Sequence, residues 1–201
     1  LITLPLSVNI KMTKIIFFGA SVSQQHINRD GEETGYVPNL KKLFKTHFND
    51  EIEVIQKGFG SGHFNQSGFV YFDLIMNMEP DVVVFEWFST SSKKFDEAKF
   101  AHVQKTLLDN GIKVINLVLP KKDCLENEPY NIKQARGYQE LGCHFINLYP
   151  FVGNKLDLDL CLRDNFHTTA HGGQLYAEII FEEIKNIFKG QHSVCDGPAI
   201  N

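Results

Sequence analysis

The sequence predicts an α/β fold, a three-layer α/β/α sandwich around a five-stranded, mostly parallel sheet of the flavodoxin-like type. Five segments that read as strands, most of them apolar runs, alternate along the chain with five segments whose apolar residues recur at helical spacing. Apolar runs are typical of parallel strands buried on both faces, and alternation of strand and helix is typical of a sheet covered on both sides. The 201 residues suffice for one domain with a sizeable core.

Five elements are predicted in the first half of the chain. An uninterrupted apolar run predicts a buried strand at 14–18, and helical spacing of apolar residues predicts a helix at 36–48. Charged and apolar residues alternate at 51–55, which favours a strand at the edge of the sheet. Segment 64–78, which begins among glycines, is predicted to be a helix, and the dense apolar run at 81–85 a buried strand.

The second half repeats the alternation. An amphipathic helix is predicted at 95–110, where a glycine ends it, and a buried strand at 112–119. A helix at 131–141, also ended by a glycine, is followed by a fifth strand at 144–148. A long helix at 170–188, with apolar residues along one stripe, completes the pattern.

The composition argues against several classes of partner. Lys plus Arg number 20 against 24 Asp plus Glu, a net charge of -4, so no basic excess is present to bind the phosphates of a nucleic acid. No apolar stretch approaches the roughly 20 residues that span a bilayer, which predicts no membrane insertion. The sequence leaves the oligomeric state open.

No cofactor and no metal are predicted. His167 and His171 have the spacing of a helical metal-binding pair, but Thr168 stands where a zinc-binding H-E-x-x-H motif requires glutamate. The cysteines form no C-x-x-C pair, so reduced thiols are favoured over a zinc or redox site. They are Cys124, Cys143, Cys161 and Cys195.

The domain is expected to span residues 12–189, because no linker or low-complexity segment interrupts this range. Residues 1–11, which precede the first methionine, are interpreted as an extension, and residues 190–201 as a loose polar tail. The apolar stretch at 1–10 is short and lacks a basic leader, so a cytoplasmic location is expected.

A serine at the end of the first predicted strand is the leading candidate for a catalytic residue. Ser21 lies two residues after Gly19, just beyond the strand's carboxyl end, where open α/β sheets bind their ligands. A hydroxyl at that place suits a nucleophile, although glycine and serine are also ordinary loop residues.

Two further segments follow strands in the same way. Gly58, Gly60 and Gly62 come after the second strand, and glycines there would either bring backbone N–H groups close to an oxyanion or form a flexible turn. The third strand ends in the segment 85–90, which contains the chain's only tryptophan, Trp87. With an acid and two hydroxyls beside it, Trp87 is either part of a site or a rim aromatic next to a solvated loop, and tryptophan is often a packing residue.

A carboxylate and an imidazole lie just before the last helix. Asp164 and His167 are three residues apart on a predicted turn, so the two side chains can face the same way. The carboxylate would fix the imidazole tautomer and leave the other ring nitrogen as a base toward a serine hydroxyl. The alternative is a helix-capping aspartate beside a surface histidine, and His171 is the nearest competing histidine.

With these motifs in this order, the chain resembles the SGNH hydrolases, also called GDSL-type esterases and lipases. The resemblance spans roughly residues 13–188. Its most specific part is the pairing of Gly-Ala-Ser at 19–21 with Asp-Asn-Phe-His at 164–167. It implies that Ser21 is the nucleophile, His167 the general base and Asp164 its orienting partner. The implied oxyanion hole uses the backbone N–H groups of Ser21 and Gly60, with Gly62 as the competing glycine.

The chain departs from the family pattern at two points. Ala20 replaces an aspartate of the family's Gly-Asp-Ser motif, which is not the catalytic acid. In the third family motif an asparagine side chain donates to the oxyanion, whereas Ser89 falls at that position here. Because losing one such donor typically costs roughly 10²–10³ in rate, we expect that Ser89 or Thr90 replaces it, that another group does, or that the enzyme is slow.

The resemblance implies a serine esterase that hydrolyses a short-chain acyl ester through an acyl-serine intermediate. An O-acetyl group on a carbohydrate is the preferred substrate, by analogy alone, and the partner is thus a small-molecule or glycan ester. Trp87, Phe88 and Gly62 are expected to contact that substrate. The alternatives are an acyltransferase with the same triad and a non-catalytic carbohydrate-binding module, which the missing asparagine favours.

Overall fold

The computed structural model describes residues 12–60, 62–90, 96–124 and 130–190. Strands and helices alternate in the predicted order. The strands are β1 (Thr13–Gly19), β2 (Ile52–Gly58), β3 (Val82–Glu86), β4 (Lys113–Val118) and β5 (His144–Asn147). The helices are α1 (Ser21–Gln24), α2 (Tyr36–Phe48), α3 (Phe72–Met76), α4 (Glu97–Asp109), α5 (Tyr130–Gly137), α6 (Leu158–Cys161) and α7 (Ala170–Phe188).

The five strands form one sheet with the order β2-β1-β3-β4-β5, and every neighbouring pair is parallel. This order is flavodoxin-like, and β2 lies at the edge as the alternating charges predict. Gly19 at the end of β1 is in register with Gly58 of β2 and Glu86 of β3. The carboxyl ends of three adjacent strands therefore lie side by side, which brings the segments that follow them together.

Helices cover both faces of the sheet, which confirms the predicted three-layer fold. Along β1, Ile15 and Phe17 belong to one core with residues of α2 and α7. Ile16 and Phe18 belong to the other core, which α4 and α5 cover. All four side chains are fully buried, and burial of each stabilises the fold by roughly 2 kcal/mol. The central strand thus joins the two cores.

The prediction of one continuous helix at 64–78 is wrong. Phe64–Gly68 form a π-helical turn, and α3 covers only Phe72–Met76. The wide turn carries Phe64 into the core, where its ring centroid lies 6.2 Å from that of Trp87. A Cβ on Gly68 would lie 2.6 Å from the Phe64 ring. The glycine therefore permits this close approach, which apolar spacing alone does not reveal.

Short helical segments were also not predicted from the pattern. α1 and α6 have four residues each, too few to display a helical period. The helix predicted at 131–141 is divided, because α5 ends at Gly137 and a 3₁₀ turn continues to Leu141. Gly142 then ends the segment with a φ of 95°, as the glycine stop predicts.

The predicted extension at 1–11 lies outside the described residues, as do Cys195 and all of the predicted tail except Gly190. The helix predicted at 95–110 corresponds to α4, which begins two residues later than predicted, at Glu97. Residue 95 is likewise outside the described ranges, and Asp96 caps α4 by accepting from the backbone N–H of Lys99. None of the helices within the described ranges has the length and apolarity to cross a bilayer.

Candidate active site

Ser21 lies where β1 passes into α1, in the middle of three adjoining strand ends. The Ala20 N–H donates to the Glu86 carbonyl of β3 at 3.2 Å, and on the other side the Phe59 N–H donates to the Gly19 carbonyl at 3.0 Å. Because α1 begins at Ser21, the N–H of this residue has no acceptor inside the helix. The turn is thus held from both sides while one backbone donor at the serine stays available.

Close packing behind Ser21 explains the glycine at the end of β2. A Cβ on Gly58 would lie 2.2 Å from the backbone nitrogen of Gln24 and 2.4 Å from its Cα. The Gln56 side chain of β2 also donates to the carbonyls of Ser23 and Gln25, at 2.7 and 2.9 Å. α1 is therefore fixed directly against β2, which gives the serine a rigid support.

The turn before α7 brings His167 to Ser21 from 146 positions along the chain. His167 Nε2 lies 2.9 Å from Ser21 Oγ, and His167 Nδ1 lies 2.8 Å from Asp164 Oδ2. The competing His171 is exposed on α7, and the Asp164 side chain contacts His167. Both distances are in hydrogen-bond range, and a serine, an imidazole and a carboxylate in this order can move the hydroxyl proton to the imidazole.

The surroundings of Asp164 keep its carboxylate ionised. Oδ1 accepts from the backbone N–H groups of Phe166 and His167, at 3.0 and 2.8 Å. Partial burial raises the pKa of Asp164, but these two N–H groups and the His167 side chain outweigh it and hold the pKa below its ordinary value. An ionised Asp164 favours the proton on Nδ1 of His167, which leaves the lone pair of Nε2 toward Ser21.

Among the described residues of the glycine segment after β2, Gly60 has an unused backbone donor. Gly62 is buried, and its N–H donates to the Phe59 carbonyl at 3.3 Å. Gly60 is exposed, and no residue in the described ranges accepts from its N–H. Of the two competing glycines, Gly60 is therefore the one with a donor free for a ligand.

The structure contradicts the predicted substrate wall at the end of β3. Trp87 and Phe88 are both fully buried. The Trp87 ring packs edge to face on Phe18, with the centroids 5.2 Å apart, and Phe88 packs in the same manner on Phe100 at 5.4 Å. Because the neighbouring rings cover both side chains, neither can touch a substrate. The sequence alternative in which this segment is part of the packing holds.

The expected oxyanion role of Ser89 also fails on burial. Its Oγ is closed off from solvent and has no hydrogen-bond partner in the part of the chain that the structure describes. The hydroxyl lies near the Glu86 carboxyl instead, without reaching hydrogen-bond geometry. Thr90 is more open, but its Oγ1 donates to the Trp87 carbonyl at 3.0 Å. The backbone donors at Ser21 and Gly60 are consequently the accessible ones.

A buried polar network beneath Ser21 was not found by the sequence reasoning. Glu86 is fully buried, and its Oε2 accepts from Ser23 Oγ at 2.9 Å, which in turn lies 2.6 Å from the Tyr36 hydroxyl. Burial raises the pKa of Glu86 to about 7, against the lowering effect of the Ser89 and Ser23 hydroxyls and of the Ser89 and Ala20 N–H groups. The sequence signal was a glutamate in the last position of a buried strand.

The described ranges contain no group of three or more His, Cys, Asp or Glu side chains arranged to hold a metal ion. Cys143 and Cys161 are free and buried, and burial raises the pKa of the Cys143 thiol to about 12.

Comparisons with known proteins support the fold. No family model matches the chain, and no curated protein matches its sequence. Among solved structures, the acetyl xylan esterase AlAXEase is similar, with 21% identity, a TM-score of 0.67 and coverage of 84% of this chain and 98% of that one. A catalytic mutant of an acetylxylan esterase from Geobacillus stearothermophilus shares 17% identity with a TM-score of 0.70, covering 87% of this chain and 96% of that one.

A GDSL-like lipase from Bacteroides thetaiotaomicron is also similar, with 19% identity, a TM-score of 0.62 and coverage of 87% of this chain and 89% of that one. These likenesses cover nearly the whole length of the three proteins. They show that the chain shares the three-layer α/β/α fold of these proteins.

Proposed function

We propose that this chain is a serine esterase that hydrolyses short-chain acyl esters, with an O-acetyl group on a carbohydrate as its substrate. One observation carries the proposal, the relay in which Ser21 Oγ lies 2.9 Å from His167 Nε2 and His167 Nδ1 lies 2.8 Å from Asp164. A serine bonded to an oriented imidazole can be activated for attack on an ester carbonyl.

In the acylation step, Ser21 Oγ forms a bond to the ester carbonyl carbon while His167 Nε2 takes the hydroxyl proton. The carbonyl electron pair moves to its oxygen, which the N–H groups of Ser21 and Gly60 would stabilise. His167 then gives the proton to the alcohol oxygen as the bond from that oxygen to the carbonyl carbon breaks. The alcohol leaves, and the acyl group stays on Ser21.

Deacylation repeats the same steps with water. His167 takes a proton from the water as its oxygen bonds to the acyl carbon, and returns that proton to Ser21 Oγ when the acid departs. Asp164, which the local N–H groups keep ionised, stabilises the imidazolium in both halves of the cycle. The proposed reaction therefore needs no group beyond these three side chains, the two backbone donors and water.

The substrate class is supported by the neighbours in fold, two of which are named as acetyl xylan esterases. The large rings of Trp87 and Phe88, which could have lined a broad apolar wall, lie in the core instead. We therefore expect the rate to fall as the acyl chain lengthens.

The proposal is tested by covalent labelling together with turnover. A 4-nitrophenyl alkylphosphonate should modify Ser21, as shown by mass spectrometry of the peptide that carries it. The protein should also release acetate from acetylated xylo-oligosaccharides and cleave nitrophenyl acetate faster than nitrophenyl octanoate. Absence of both labelling and turnover would favour a binding module, whereas transfer of the acyl group to an added sugar would show an acyltransferase.

We expect Ser89→Ala to lower kcat for nitrophenyl acetate by less than about tenfold, because the buried hydroxyl cannot reach a substrate oxygen. Removal of a true oxyanion donor would lower kcat by roughly 10²–10³. Since Ser89 Oγ lies near the Glu86 carboxyl without making a hydrogen bond to it, the variant should unfold at a temperature only slightly below that of the wild type. A loss of roughly 10²–10³ in kcat would instead indicate that the Ser89 hydroxyl donates to the oxyanion.

A further inference from the structure

Gln25 joins the segment that carries Ser21 to the segment that carries His167. Its Nε2 donates to the Thr168 carbonyl at 3.0 Å, and its Oε1 accepts from the Thr168 N–H at 3.0 Å. One side-chain amide therefore pairs with both polar groups of one backbone residue, as a neighbouring strand would. Thr168 directly follows His167, and Gln25 lies four residues after Ser21.

Both ends of this contact are themselves fixed. Gln56 holds the Gln25 backbone by donating to its carbonyl at 2.9 Å. On the other side, the Thr168 hydroxyl donates to the Thr34 carbonyl at 2.7 Å and lies 3.2 Å from Gln25 Oε1, to which it can donate instead. A displacement of Thr168 would thus be opposed by three bonds to the segment that follows Ser21.

The turn between Asp164 and Thr168 transmits this restraint to the imidazole. The Arg163 N–H donates to the His167 carbonyl at 2.9 Å, and the Asp164 side chain holds the His167 N–H at 2.8 Å. Leu162 and Thr168 pair across the base of the turn as an antiparallel bridge. The loop that presents His167 is therefore closed on itself and attached to the serine segment at Thr168.

We propose that Gln25 is a positioning residue, one that sets the distance between Ser21 and His167 by holding Thr168. This inference rests on the proposed esterase function. Gln25 is 9% exposed and Thr168 fully buried, and burying a primary amide is costly unless its donors and acceptor are paired. An apolar pair would fill the same space without fixing direction. The amide fills the space and also fixes the direction in which Thr168 is held. This matters because reaction rates depend on placement of the reacting groups to within about 0.5 Å.

Gln104 provides a matched control for the loss of a buried glutamine. It is fully buried and exchanges two side-chain hydrogen bonds with Asn116 of β4, at 2.5 and 3.2 Å. The Cys143 thiol donates to its Oε1 at 3.1 Å. None of these partners belongs to the segments that carry Ser21 or His167. Gln104→Met therefore removes a comparable set of bonds at a place with no path to the triad.

The test compares Gln25→Met with Gln104→Met in kcat, KM and melting temperature. We expect Gln25→Met to lower kcat about 10²-fold with KM within about threefold, because a misplacement near 1 Å is enough for such a loss. Gln104→Met should lower the melting temperature by a similar amount and leave kcat within about threefold of the wild type. An unchanged kcat in Gln25→Met, or equal losses in both variants, would overturn the proposal.

A second variant covers a failure of Gln25→Met to fold. Gln25→Glu keeps the acceptor for the Thr168 N–H but turns a carboxyl oxygen toward the Thr168 carbonyl in place of the amide donor, so its kcat should also fall, by about tenfold or more. A readout independent of turnover is amide exchange at Thr168 together with the ring ¹⁵N signals of His167. Both should change in the Gln25 variants and stay as in wild type in Gln104→Met. If wild type is neither labelled nor active, the esterase function fails, while unchanged exchange in the Gln25 variants would overturn the positioning role itself.

Discussion

Ser21→Ala should lower kcat for nitrophenyl acetate by about 10⁴-fold or more, with little change in folding. The hydroxyl is the only group at the site that the proposed reaction uses to form a covalent bond to the substrate. Its one hydrogen bond in the described ranges is to His167 Nε2, and Ser21 is only partly buried. Removal of the oxygen should therefore cost little stability.

His167→Ala should reduce kcat by a similar factor, and the double variant should be no slower than either single variant. Residues that act as one unit lose their joint contribution once either is removed, so their effects do not add. Steady-state kinetics on the three variants, with circular dichroism as a check on folding, measures this. Additive losses would mean that Ser21 and His167 act separately, and equal rates in Ser21→Ala and wild type would contradict the esterase proposal.

The local part of the candidate site could be predicted from the sequence. Asp164 and His167 are three residues apart, and such short spacing on a turn constrains the geometry strongly enough to anticipate their contact. The strands could also be predicted, because burial on both faces leaves an apolar signal in the inner strands and the alternation of charged and apolar residues marks the edge strand β2. The contact between Ser21 and His167 could be predicted only with the strand order and the resemblance to a known family in addition.

The contacts that could not be predicted are those made by single polar side chains across long separations. Gln25 and Thr168 are 143 positions apart, and Ser23 and Glu86 are 63 apart. Neither pair belongs to a periodic pattern, so nothing in the sequence links one partner to the other. The prediction that Trp87 contacts the substrate failed for a related reason. The π-helical turn that brings Phe64 onto its ring arises from a glycine contact and not from apolar spacing.

The second large effect is expected on stability, from Glu86→Gln. The Glu86 carboxyl is fully buried beneath the turn that carries Ser21, and its Oε1 has no hydrogen-bond partner among the described residues. Burial is the main cause that raises its pKa from 4.5 to about 7. The folded protein consequently binds the Glu86 proton more tightly than the unfolded chain does.

The sign of the pH dependence follows from that difference. Below pH 4.5 the carboxyl is protonated in both the folded and the unfolded state, so folding buries no charge at Glu86. As the pH rises toward 7, the unfolded chain releases the proton while the folded protein keeps it, so the free energy of unfolding falls. At about 1.4 kcal/mol for each pH unit of difference, the wild type should lose about 3 kcal/mol across this window and little more above it.

Glu86→Gln should remove this dependence, because an amide of nearly the same shape carries no charge and can still accept from Ser23 Oγ. Urea unfolding of both proteins at about pH 5 and about pH 8 measures the difference between their free energies of unfolding. Glu178→Gln, an exposed position on α7, controls for the loss of one negative charge. Because the unfolded chain has already lost much of this proton at about pH 5, the variant should gain about 2.5 kcal/mol relative to wild type between the two pH values. Parallel pH curves for wild type and Glu86→Gln would show that the buried carboxyl is not the group that opposes folding at high pH.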